Sequence, residues 1–85
     1  MFEVDALRAL IEAGIPGSTA LVEDNAGDRE HFAAQVVAPS FEGLSLIKQH
    51  QAVYRTLGER MGREIHALAL TTFTPAQWAQ RSNHG

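Results

Sequence analysis

The chain predicts an α+β domain: a three-stranded mixed sheet with helices on one face, in the order α-β-β-α-α-β-α. Three observations point there. Two stretches of period-two apolar residues flank a short polar turn, which makes an antiparallel hairpin. Helical apolar periodicity lies on both sides of that hairpin. The connection from Val37 to Ile65 is long enough to return the chain parallel to the second strand. At 85 residues the chain holds one domain, assigned to residues 1–81, with 82–85 as a flexible tail.

The elements follow in order. Glu3 to Ala13 reads as a helix, with Val4, Leu7 and Ile11 at i, i+3 and i+7 and Leu10 beside them. Glu3 and Asp5 suit its positive N-terminal end. Gly14 is placed just past the helix, and Pro16 blocks continuation. Ser18 to Asp24 is a strand built on Ala20, Leu21 and Val22, and Asn25 to Glu30 a polar turn. From His31 to Ala38, Phe32, Ala34 and Val36 alternate with His31, Ala33 and Gln35 as a second strand. Pro39 ends the pairing, and Ser40-Phe41-Glu42-Gly43 forms one helical turn. Ser45 then caps a helix running to about Gly62, with an apolar stripe of Leu46, Ile47, Val53, Tyr54, Leu57 and Met61. Glu64 to Thr72 alternates as a third strand. Thr74-Pro75-Ala76-Gln77 supplies an N-cap, a first-turn proline and a capping-box glutamine for a last helix carrying Trp78.

Composition narrows the function. There is no cysteine, so a disulfide scaffold, a thiolate zinc site, a catalytic thiol and a self-contained iron–sulfur site are excluded. A net charge of −3 argues against a strongly basic nucleic-acid footprint. No apolar run approaches the roughly 20 residues that span a bilayer. Met1-Phe2-Glu3-Val4-Asp5 is acidic where a signal peptide is basic, so a cytoplasmic location is expected. A phosphate-binding glycine loop, a nucleophile elbow, a Ser/His/Asp set and a carboxylate pair in an apolar cleft are all missing, so no catalysis is expected.

The histidines carry the remaining chemistry. His31 opens the second strand, and His66 lies near the opening of the third. If these strands are parallel neighbours, about 4.8 Å apart, their starts share one sheet margin and two imidazoles can reach a common metal. Two histidines do not complete a protein-only site. For each ring, a simple hydrogen bond to a turn carbonyl stays open. His50 falls inside the apolar stripe and reads as half-buried, while His84 receives no role. Asp24, Asp28 and Glu30 lack calcium-loop spacing and read as a solvated acidic loop. Ser40 to Ser45 followed by a helix has the outline of a helix-turn-helix. Lys48, His50 and Arg55, with Arg60 and Arg63, are its nucleic-acid candidates. The nearby Glu42 and Glu59 and the neutral Gln49 and Gln51 make a solvated helix face the simpler reading.

Four segments in order carry a family resemblance: Phe41-Glu42-Gly43-Leu44-Ser45, Gln49-His50-Gln51-Ala52-Val53-Tyr54, Ile65-His66-Ala67-Leu68-Ala69-Leu70 and Thr74-Pro75-Ala76-Gln77-Trp78, with His31-Phe32 ahead of them. Together they resemble the BolA family from about residue 4 to residue 80. The resemblance implies a class II KH-like domain. It also implies a non-enzymatic partner of monothiol glutaredoxins, monomeric alone and heterodimeric with them, which shares a bridging [2Fe–2S] cluster. The glutaredoxin cysteine and a glutathione thiol supply sulfur, and this chain supplies histidine. His66 matches the family's C-terminal ligand histidine. Other members carry a Cys or His in the loop between the first two strands, where Asn25 to Glu30 has neither, so His31 is the nearest substitute. The short loop resembles the cysteine-free bacterial branch. The family is also linked to DNA binding, transcription regulation and stress response. There the Arg-His-Arg of many members reads Gln49-His50-Gln51 here, which removes two phosphate contacts. A KH-type RNA role is disfavoured by the missing G-x-x-G clamp.

Overall fold

The computed structural model describes residues 3–24, 27, 31–63, 65 and 67–83, without the side chains of 82 and 83. Three helices are described, α1 (Val4–Gly14), α2 (Leu46–Leu57) and α3 (Pro75–Asn83), together with β1 (Thr19–Asp24), β2 (His31–Val37) and β3 (Ala67–Phe73). Short 3-10 turns span Pro39–Phe41 and Gly58–Arg60. The sheet order is β1-β2-β3, with β1 antiparallel and β3 parallel to the central β2. This is the mixed α+β architecture expected.

Period-two alternation decides which residues enter the core. Ala20, Phe32, Ala34 and Val36 are buried on one face, joined by the partly buried Val22, Leu68 and Leu70. Leu7 and Ile11 of α1 and Val53 and Leu57 of α2 close over them. On β1, Ala20 N–H donates to the Glu12 carboxylate of α1 at 2.9 Å. Helices on one face describes α1 and α2. β3 ends at Phe73, a position on the opposite face, and α3 turns back toward it. There the Trp78 ring meets Phe73 edge-on at 5.1 Å, and the Arg81 guanidinium lies 4.7 Å from the Trp78 ring.

The capping box forms as expected. Gln77 N–H donates to Thr74 Oγ1 at 3.2 Å, and Thr74 N–H donates to Gln77 Oε1 at 2.9 Å. Ser45 Oγ likewise accepts from Lys48 N–H at 3.2 Å.

Several boundaries differ from the sequence expectation. Gly14 is the last residue of α1 rather than the first beyond it. Its role is close approach: a Cβ there would stand 2.5 Å from Thr56 Cγ2 on α2. α2 stops at Leu57, not near Gly62, because Gly58 takes φ +56°, where the left-handed region ends a helix. The turn placed at Ser40–Gly43 sits at Pro39–Phe41, with Phe41 buried. β3 begins at Ala67, where pairing opposite His31 starts. Ile65 is instead fully buried and bridges Met61. α3 runs through Ser82 and Asn83, two positions of the expected tail. The turn residues 25, 26 and 28–30, together with Glu64, His66, His84 and Gly85, lie outside the described residues.

The stripe on α2 is also corrected. Gln49, Val53 and Leu57, at i, i+4 and i+8, are its buried residues. Leu46, Ile47 and Tyr54 are 61%, 71% and 38% exposed. The helix is rotated so that a polar residue, not an aliphatic one, opens its inner face.

Candidate functional site

The strand register defines the sheet margin. Asp24 at the end of β1 pairs with Phe32, and His31 at the start of β2 pairs with Ala67 at the start of β3. The three strand ends therefore meet at one edge. His31 and Ala67 are both exposed there, on the face opposite the core. His66 lies outside the described residues; in the chain it falls between the buried Ile65 and the exposed Ala67.

Among the described residues, no group of three or more His, Asp or Glu is placed to hold a metal ion. The chain also has no thiolate to offer. His31 is an exposed imidazole at the start of β2, and imidazole is a residue type able to ligate metals.

The nucleic-acid candidates divide differently. Lys48 and Arg55 are exposed on α2, and His50 is half-buried. Gln49, expected on a solvated face, is instead 7% exposed. Its amide donates to Phe41 O at 3.2 Å and Leu44 O at 3.0 Å, and its Oε1 accepts from Thr72 Oγ1 at 2.6 Å. This node ties the turn, α2 and β3 together, and a buried amide with these bonds satisfied is well accommodated. Only Gln51 of the two neutral positions faces solvent. The node was missed from sequence because its partner Thr72 is distant in the chain. The available signal was the spacing of Gln49 with Val53 and Leu57.

The architecture and the family comparison agree. The family described as BolA-like protein matches residues 16–77. Human BolA-like protein 1 is 45% identical over 56 residues, covering 66% of this chain and 41% of that protein. The DNA-binding transcriptional regulator BolA of Haemophilus influenzae is 36% identical over 64 residues, covering 75% of this chain and 62% of that one. The chain thus spans less than two thirds of either relative's length. A bolA protein homologue from Coxiella burnetii superposes with a TM-score of 0.80 at 38% identity, over 93% of this chain and 99% of that one. Yeast Fra2 gives 0.74 at 30% identity, over 93% and 86% of the two chains. The BolA domain of SufE1 from Arabidopsis thaliana gives 0.73 at 30% identity, over 86% and 92%. These findings define a small α+β domain of the fold shared by those proteins. The chain belongs to the BolA-like protein family.

Proposed function

We propose that this chain is a non-enzymatic binding module of the cytoplasm that partners a monothiol glutaredoxin. In that reading it supplies His66, with His31, to a shared [2Fe–2S] cluster in iron sensing or in cluster assembly and transfer. The isolated chain is a monomer, and the cluster complex is a heterodimer that includes glutathione. The observation that carries the reading is the pairing of an exposed His31 with Ala67, the residue that follows His66 in the chain. His66 immediately precedes Ala67 in the chain. Further support comes from the absence of cysteine, which leaves imidazole as this chain's ligand chemistry. A BolA domain is also part of SufE1 of Arabidopsis thaliana.

When bound, the cluster supplies one-electron redox chemistry and transferable iron and sulfide. The chain's contribution in this reading is imidazole nitrogen, with His31 at the start of β2. The test is to mix the chain with a glutathione-loaded, cluster-bearing monothiol glutaredoxin and record visible absorption and circular dichroism. A new spectrum is expected, lost in His66→Ala and weakened in His31→Ala. An unchanged spectrum, or one identical in both variants, would overturn the assignment.

A second reading is favoured by the Haemophilus relative, whose name is that of a DNA-binding regulator. In it, Lys48, His50 and Arg55 of α2 meet DNA. It predicts sequence-selective binding that falls steeply with salt, with the slope reduced by about one in Lys48→Ala. Weak, unselective retention at low salt alone would remove it.

A further inference from the structure

The outer face of α2 has a composition that neither the core nor the histidine margin explains. On that face Ile47 is 71% exposed and Tyr54 is 38% exposed. At about 100° per residue, Tyr54 and Ile47 project within about 20° of each other, and so do Lys48 and Arg55 further round the helix. The face is thus an aliphatic–aromatic strip with a cationic flank. From residue 46 to residue 63 the chain carries Lys48, Arg55, Arg60 and Arg63 against the single acid Glu59. The whole chain has a net charge of −3, so this segment is set apart in sign.

We propose that this face docks a protein partner through an amphipathic helix whose apolar side chains are flanked by carboxylates. Charge complementarity selects that occupant. A second copy of this chain on the same face would set Lys48 and Arg55 against their own counterparts, a like-charge contact. Duplex DNA satisfies the cations but leaves Ile47 and Tyr54 against a hydrated phosphate backbone. An anionic lipid surface would bury little apolar area, since the strip offers Ile47 and only part of Tyr54. An acidic helix matches both halves of the face, with a dry counterpart for Ile47 and Tyr54 and carboxylates for the flank. The proposal uses neither His31 nor His66 and stands apart from the cluster reading.

The test titrates the nitrogen-15-labelled full chain with a synthetic helical peptide bearing leucines on one face flanked by glutamates. The controls are the same peptide with lysines for glutamates, a DNA duplex, phosphatidylglycerol-containing vesicles, and a dilution series of the chain alone. Saturable shifts at the amides of Ile47, Gln51 and Tyr54 are expected with the glutamate peptide. Ile47→Glu and Arg55→Glu should each weaken that binding by about tenfold or more, a difference readily resolved in Kd. Shifts elsewhere, binding unaffected by these variants, or a stronger response to the lysine peptide, DNA, vesicles or dilution would overturn the proposal.

Discussion

The two ends of the sheet differ in exposure. At the C-terminal end of β3, hydrogen bonds and a ring contact join neighbouring elements. Thr72 bonds to Gln49, Ala38 N–H donates to Phe73 O at 3.1 Å, Thr74 and Gln77 cap α3, and Trp78 packs on Phe73. At the other end, strand register brings Asp24, His31 and Ala67 together, with His31 and Ala67 exposed. The difference teaches a division of labour. In the proposed reading, the packed end fixes the strands and the exposed end presents residues to a partner, as rigid scaffolds carry binding groups.

The comparison breaks most severely at Gln49. Gln49→Leu keeps the volume but strips Leu44 O and Thr72 Oγ1 of this hydrogen bond. It should cost about 3 kcal/mol, which lowers Tm by about 10–20 °C in a domain of this size. Gly14→Ala comes next. Alanine gains up to about 1 kcal/mol of helix propensity, but a Cβ 2.5 Å from Thr56 Cγ2 forces α1 from α2. A net loss of about 1–2 kcal/mol is expected, partly restored in urea denaturation by Thr56→Ser. Thr74→Ala removes the cap of α3 and should cost about 1 kcal/mol. His31→Ala, at the exposed end, should change stability by about 0.5 kcal/mol or less while weakening the spectrum shared with glutaredoxin. A stability loss at His31 as large as that at Gln49 would erase the distinction between the two ends.

Sequence patterns carried the local parts of this structure well. The β2 alternation, the mixed sheet and the Thr74–Gln77 box all depend on near neighbours or on a single long connection, and all appear as expected. What escaped was settled by tertiary contact. Leu46 and Ile47 look like core in a one-dimensional stripe, yet Gln49 takes the inner face because Thr72 and the Phe41–Leu44 turn satisfy its amide. Gly58 looks tolerable inside a helix, but its positive φ ends α2. Gly14 reads as a stop signal, whereas the approach of Thr56 explains it. At the histidine margin, the shared strand starts were readable from the parallel crossover, and the register bears that out for His31.

The most direct measurement is a chemical-shift map of the labelled chain titrated with monothiol glutaredoxin, first apo and then cluster-loaded. The cluster-loaded partner should add perturbations at Asp24, His31 and Ala67 that the apo partner does not produce, with the Thr72–Trp78 end unchanged. Cluster-dependent perturbations confined to the Thr72–Trp78 end, or none at all, would contradict the account.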